Sequence, residues 1–508
     1  MHGPRSIFES EVSRWLAPGG IVESLCGNQR DRHGVLRPQS LADVQRILYA
    51  ASRAAGAVKI QPVSCGRNWG FGSELPARDG AYTMDLSALK RIRSLDLKSH
   101  CAELEPGTTQ GQLDDALRRQ GSTHYFNVTG AGLGASVIGN ALERGIGYSG
   151  QRHLDLLDLE VVLPTGEVTR TSRFDPLSPN GAYLGGLGPD PTGLFCQSNF
   201  GIVTAATIAL HRRPEVMGGV ICRLASAAAF PDLISLISDS IAEGACYGVP
   251  HVFNHERLVT TLSPHLNQAE AAQLRLTAAP WTALIPIRGS KGVFAAHARH
   301  LETLLKPLGQ IQILGDPQDA DRQLSNLVQG RPSDFALASV AFSVFGHSTA
   351  VNAPMEASGA GLLHVTPVMA LCGQTIGDVV KLTLETLDGH GCKAVPLSVN
   401  ALSARTAALI VSLGFDRRSP QKTKEARRAA DDLLEAYLHA GLLPYRLGLG
   451  QAERLPQMKG PWPEIFGAMQ RAFDPSGCMA PSRYEPLWQK DAAVDTAIHS
   501  REAQPCFL

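Results

Sequence analysis

PVSCGRNWGFGSE at residues 62–74 and TGAGLGASVIGNALERGIGYSG at residues 129–150 are the two stretches that decide how this chain reads. Each follows a short apolar run, Val58-Lys59-Ile60 in one case and Tyr125-Phe126-Asn127-Val128 in the other. A strand that opens into a glycine loop exposes backbone N–H groups that no side chain shields. Such a loop can cradle a pyrophosphate. Two of them imply one large, extended, phosphate-bearing cofactor held from two sides. A doubly wound nucleotide fold is disfavoured. Its GxGxxG would follow the first strand, open a helix and meet an acid about 20 residues later. Here the glycines sit in long loops between strands.

The flanking sequence supports a mixed α+β fold. Residues 40–54 carry apolar side chains at helical spacing, with Ser40 placed as cap. Residues 81–86, 101–105, 157–163 and 168–171 read as strands, and 108–120 as a helix. Pro164 to Glu167 form the turn between the last two strands. Near residue 214 the character changes. Helices are expected at 229–243, 268–276, 292–306, 375–390 and 419–440, the last between Ser419 and a terminating Gly441. The strip 473–486 is turn-rich and reads as a return to the first domain.

Bulk composition narrows the class. A chain of 508 residues exceeds one ordinary core, so two or three domains are expected. Lys+Arg and Asp+Glu are both 47, which favours neither nucleic acid nor an anionic membrane as partner. None of the ten cysteines forms a CxxC pair, so a structural zinc site is not expected. The N-terminal stretch carries Glu9, Glu11 and Arg14 and does not read as a signal peptide. No apolar run reaches the roughly 18 residues of a membrane span. A reducing cytoplasm with free thiols is the expectation.

The ordered set of motifs resembles the vanillyl-alcohol oxidase and p-cresol methylhydroxylase family of flavoproteins. The carriers are the two glycine stretches, LEPGTTQGQL (104–113), LEVVLPTGEVTRT (159–171), GLFCQSNFGIVT (193–204), PYRLGL (444–449) and DPSGCMAPSRY (474–484). The resemblance implies a two-subdomain FAD-binding domain at 1–214, a cap over the substrate at 215–455, and a segment 456–508 that rejoins the first domain. Ser64, Gly66, Arg67, Asn68 and Gly70 would serve the pyrophosphate. Gly134, Ser136, Gly139, Asn140, Gly201, Ile202, Val203 and Arg483 would line the remaining cofactor.

His364, in GLLHVTPV, has two readings. From the residues alone it is a core histidine with one backbone hydrogen bond. By resemblance it attaches the flavin covalently through the 8α-methyl, for which a neutral nitrogen is needed. Tyr445 and Arg446 match a pair that grips a phenolate oxygen in the family; a fixed guanidinium beside a phenol O–H stabilises negative charge. Tyr148 would lie near the ring. Two positions depart from the pattern. Phe71 stands where phenol-oxidising members have a tyrosine, and no carboxylate occurs around Gly130-Ala131. A replacement base would have to come from elsewhere, with His124, His153 and Asn400 as candidates.

The expected activity is hydride transfer from a small organic substrate to the flavin. A para-substituted phenol, an aromatic alcohol or a related secondary metabolite is the expected substrate. Oxidation of a hydroxy acid or sugar-type alcohol, a tailoring step in natural-product biosynthesis, and a non-catalytic binding protein are the rivals. Oxygen or an electron-accepting protein would reoxidise the flavin, and the glycine at 130 would leave room for O2. The family's habit implies a homo-oligomer.

Overall fold

The computed structural model describes residues 3–54, 56–67, 69–172, 188–315, 324, 327–346 and 358–485. Asn68 lies outside the described residues.

Three principal sheets organise the chain. The first runs, in spatial order, Leu16–Glu23, Gln29–Leu36, Ala81–Asp85, Ile60–Val63. Ala81–Asp85 is parallel to both of its neighbours. Helix Leu41–Ser52 covers this sheet because Val44, Ile47, Leu48 and Ala51 form one apolar stripe. Ser40 caps it by accepting the Asp43 N–H. The second sheet is antiparallel, in the order Val168–Arg170, Leu156–Val162, Ile202–Ala209, Cys101–Leu104, Ile92–Asp96. Helices Gln110–Arg119 and Val137–Leu142 pack on it.

From Val216 the chain builds one wide antiparallel sheet. Its order is Gly309–Leu314, Val216–Leu224, Trp281–Gly289, His251–Asn254, Leu397–Ala401, Thr406–Asp416, Pro367–Ala370, Leu443–Pro444. Ala360–Val365 pairs with the far end of Thr406–Asp416. Helices Phe230–Ala242, Lys291–Leu305, Gly373–Asp388 and Pro420–His439 bury one face of this sheet in the largest core. Gly441, at φ +76°, ends the last helix in a conformation that glycine adopts without strain.

The C-terminal segment returns to the first two sheets. Phe473 of helix Trp462–Phe473 stacks on Phe200 at 5.1 Å. Ile60 N–H donates to the Cys478 carbonyl at 2.8 Å, and Ala480 N–H donates to the Ile60 carbonyl at 2.9 Å. Helices expected from spacing form within about two residues of the expected ends, the ordinary scatter of helix boundaries.

Candidate active site

The strand period gives the two faces of the wide sheet different chemistry. Val252, Leu363, Val365, Val399, Leu409 and Val411 point into the helix-covered core. The residues between them line a cavity on the opposite face: His251, Phe253, Ser398, Asn400, Ile410, Ser412, Leu362 and His364. Side chains alternate across a strand, so one face is all core while the other carries polar groups. Register sets the neighbours, with His251 opposite Asn400 and His364 opposite Ser412. Trp69, Phe71, Gly130, Asn140 and Tyr148 from the glycine-loop half close the other side, and Tyr445 and Arg446 complete the wall. The cavity holds about 270 Å³.

Gly70 sits at φ +83°, and a Cβ there would stand 2.3 Å from His364 Cδ2. His364 N–H donates to the Gly70 carbonyl at 3.0 Å. The glycine is therefore required twice, for its backbone and for the imidazole against it. His364 Nδ1 lies 3.1 Å from Ser412 Oγ and 3.3 Å from the Val411 carbonyl. A carbonyl only accepts, so a proton on Nδ1 satisfies it and leaves a lone pair on Nε2. Burial pushes the His364 pKa down to about 4, and the charges of Arg257 and Arg446 act in the same direction. The imidazole is neutral at neutral pH, as a nucleophilic nitrogen must be.

His251 repeats the pattern. Its Nδ1 is 3.0 Å from Asn400 Oδ1, and burial lowers its pKa to about 4. Its Nε2 is buried without a partner. So are Arg257 Nε and Thr366 Oγ1 in the same cavity wall. The hydroxyls of Tyr148 and Tyr445 have no hydrogen-bond partner among the described residues, and burial raises the pKa of both. Convergent unsatisfied polar groups in an otherwise apolar cavity are what a ligand site leaves behind.

Arg446 is fixed in place. Its Nε donates to the Glu143 carbonyl at 2.8 Å and its Nη2 to the Asn140 carbonyl at 3.4 Å. Its guanidinium carbon lies 5.1 Å from the Phe71 ring centre and 5.6 Å from that of Tyr445. Glu143 ties this corner together, receiving Arg483 Nη2 at 2.5 Å and Tyr484 Oη at 2.9 Å. Burial works to raise its pKa, but Arg483 and Arg446 outweigh burial and hold the carboxyl below its ordinary range.

A second cavity adjoins the first and shares Asn140 with it. Ser64, Gly66, Arg67, Ser136, Gly139, Gly201, Val203 and Arg483 line it. The two glycine loops meet here: a Cβ on Gly139 would stand 2.1 Å from Ser64 Oγ, and one on Gly134 3.0 Å from Arg67 Nη1. Trp69 Nε1 donates to the Ala131 carbonyl at 2.9 Å, joining the loops at the other end. Arg483 Nη1 and Asn199 Oδ1 are buried here without partners. Glycine loops, two guanidiniums and orphaned polar atoms in one cavity, adjoining a second, fit a pyrophosphate-bearing cofactor.

Several expectations need revision. Ile202 turns into the core of the first sheet and does not reach either cavity, because alternation along Ile202–Ala209 aims it away from Gly201 and Val203. Gly70 serves His364, Gly134 packs against the Arg67 side chain, and neither glycine lines a cavity. His124 sits at the surface, with its ring 2.7 Å from a His100 nitrogen, and His153 lies on the turn Arg152–Asp155; neither lines a cavity. Asn400 does, as the partner of His251. The space beside Gly130 is not open: a Cβ there would lie 3.0 Å from Tyr148 Oη and 3.2 Å from Ala336 Cβ. His251, Arg257, Ser412 and Glu143 were not singled out in the sequence. Gln110 was not either; its side chain clamps Thr129 and Gly132 of the second loop.

Comparison with known proteins bears on the fold and the cofactor. A family described as an FAD binding domain matches residues 33–172. The chain is 28% identical to 1'-carboxy-chondrochloren decarboxylase of Chondromyces crocatus, over 89% of this chain and 90% of that protein. It is 24% identical to the flavoprotein subunit of 4-cresol dehydrogenase [hydroxylating] of Pseudomonas putida, over 84% and 83%. The structure of 4-ethylphenol oxidase from Gulosibacter chungangensis superposes with a TM-score of 0.79 at 22% identity, covering 94% and 93%. Among the described residues no helix is long and apolar enough to cross a membrane, and no His/Cys/Asp/Glu group could hold a metal ion. The chain is thus an FAD-dependent oxidoreductase with the architecture of the p-cresol methylhydroxylase-type flavoproteins.

Proposed function

We propose that this enzyme oxidises the side chain of a small aromatic substrate, a para-substituted phenol or a related secondary metabolite, in the cavity between the wide sheet and the glycine loops. The observation that carries the reading is the juxtaposition of Tyr445, Arg446 and neutral His364 around one cavity that adjoins the loop cradle at Asn140. Ser64, Gly66, Arg67, Ser136, Gly139 and Arg483 would hold the FAD, which when bound supplies the two-electron acceptor. Tyr445 donates to the substrate oxygen, and the fixed charge of Arg446 beside it favours the anionic form. Phe71 adds apolar surface and no donor, so this site has fewer anion-stabilising groups than one with a tyrosine there. With no Asp or Glu in the described wall to take its proton, the substrate oxygen enters already ionised and accepts from Tyr445. The decarboxylase relative, matched over most of both chains, supports a tailoring oxidation as the setting. O2 or an electron-accepting protein would complete turnover. The nine described cysteines are free thiols, consistent with a cytoplasmic enzyme.

Anaerobic titration of the yellow holoenzyme with para-alkylphenols, aromatic alcohols, hydroxy acids and sugars tests this reading. Bleaching by the aromatic compounds is expected. Bleaching by hydroxy acids or sugars alone would contradict it.

His364 is the proposed point of covalent flavin attachment. Its neutral Nε2 and its position against Gly70 support this. Acid precipitation should leave yellow colour in the protein pellet, and His364→Ala should release the colour to the supernatant. Colour in the wild-type supernatant would overturn the attachment.

A further inference from the structure

We propose that Arg257 is a receptor for a carboxylate carried by the substrate. The inference rests on the reading that the cavity is the substrate site, and adds the substrate's charge. Arg257 stands on helix His255–Leu262, whose cap Asn254 accepts its backbone N–H at 2.9 Å. Arg257 lines the cavity, as does Ser412, its hydrogen-bond partner. One bond uses the guanidinium: Nη2 donates to Ser412 Oγ at 2.6 Å. Nε is buried without an acceptor, and no carboxylate among the described residues forms an ion pair with this side chain.

Of the other guanidiniums at the two cavities, Arg67 belongs to the phosphate cradle, and Arg483 and Arg446 are compensated. Arg483 pairs with Glu143 at 2.5 Å, and Arg446 rests on two backbone carbonyls with the Glu143 carboxylate at 4.0 Å. Burial alone drives the Arg257 pKa down to about 10, with no acidic neighbour to oppose it. Its charge also depresses His251 and His364. An uncompensated buried cation is costly, and an anionic ligand removes the cost. The described cavity wall holds two guanidiniums and no Asp or Glu.

The anion is assigned to the substrate because the cofactor's phosphates have their own cradle between the glycine loops. A single planar guanidinium beside the Ser412 and Ser398 hydroxyls suits a planar carboxylate, which it can grip with two parallel N–H groups. A substrate with a carboxylate at one end and an aromatic ring at the other would span from Arg257 toward Tyr445.

Two matched pairs of probes test the assignment on the holoenzyme under anaerobic conditions. They are phenylpropanoate with its primary amide, and para-hydroxyphenylpropanoate with its primary amide. Acid and amide share size and shape and differ in charge. Calorimetric titration should show at least one acid binding roughly 10- to 100-fold more tightly than its amide, the range for one charge-assisted contact. Arg257→Met should bring that ratio to about one while retaining amide binding and flavin content. The ligand-free variant should melt no lower than wild type, because it loses a charge without a counter-ion. Equal binding of acid and amide in both pairs, a preference that survives in Arg257→Met, or a lower melting temperature in the variant would each overturn the proposal. The hydroxyl-free acid separates the two readings. If it binds through Arg257 while phenols fail to bleach the flavin, the carboxylate site stands and the phenol assignment falls.

Discussion

Arg446→Met slows anaerobic flavin reduction by the best substrate about 30- to 1000-fold, equivalent to about 2–4 kcal/mol of transition-state stabilisation. The expectation follows from the geometry around the guanidinium. Two backbone carbonyls hold it against Phe71 and Tyr445, so its charge is already in place when negative charge grows on the substrate oxygen. An interaction made mainly in the transition state lowers the rate constant as well as binding. Methionine keeps the volume of the stem and removes the charge. Tyr445→Phe should act in the same direction, because Phe71 offers no hydroxyl to replace the one lost. Arg483 still pairs with Glu143 in the Arg446 variant, so the loop does not lose its only counter-charge. Stopped-flow reduction of wild type and both variants is the measurement. Unchanged rates in both would remove Tyr445 and Arg446 from the chemistry.

Gly139→Val weakens flavin retention. The first valine carbon would lie 2.1 Å from Ser64 Oγ and 3.2 Å from Ser136 Oγ, so one glycine loop must move away from the other. Overpacking of this kind costs about 1–3 kcal/mol in protein cores. Here the displaced atoms are the cradle itself, so FAD affinity should fall roughly 5- to 150-fold, the equivalent of that cost, and the flavin-to-protein absorbance ratio of the purified variant should fall with it. Gly66→Val should have a similar effect for a different reason. Its Cβ has room, 3.4 Å from Glu74 Cβ, but φ +64° strains a β-branched residue. Folded Gly139→Val carrying a full complement of flavin would show that the two loops do not jointly hold the cofactor.

The parts of the fold that announced themselves have strong local signals. The glycine loops, the capped helix over 420–439 and the strands around Pro164 and Gly166 each combine periodicity with turn chemistry. The wide sheet was not legible. Strands such as Leu397–Ala401 are buried along their whole length, on one side by core and on the other by the cavity, so apolar-polar alternation is blurred. Leu16–Glu23, LAPGGIVE, contains a proline and two glycines and carries no strand pattern; its pairing with Gln29–Leu36 supplies the order. The site divided in the same way. Ser64, Gly139, His364, Tyr445 and Arg446 sit in motifs. Arg257 and His251 lie in HVFNHERLV, where nothing local distinguishes a cavity residue from an ordinary helix or strand residue. They become visible only when register sets His251 against Asn400, and when a hydrogen bond across the fold sets Arg257 against Ser412. His124 and His153 had the right chemistry and the wrong location, which side-chain type alone could not reveal.

The central claim is that the two adjoining cavities form one site, with the cofactor's phosphates between the glycine loops and its reactive ring beside His364, Tyr445 and Arg446. Electron density for the holoenzyme crystallised with a para-alkylphenol tests it most directly. The account predicts pyrophosphate density against the Ser64–Arg67 loop and Gly139, the flavin ring next to His364, and the phenol oxygen within hydrogen-bonding distance of Tyr445 Oη. A flavin ring outside the cavity bounded by His364 and Tyr445, or a phenol bound anywhere else, would contradict it.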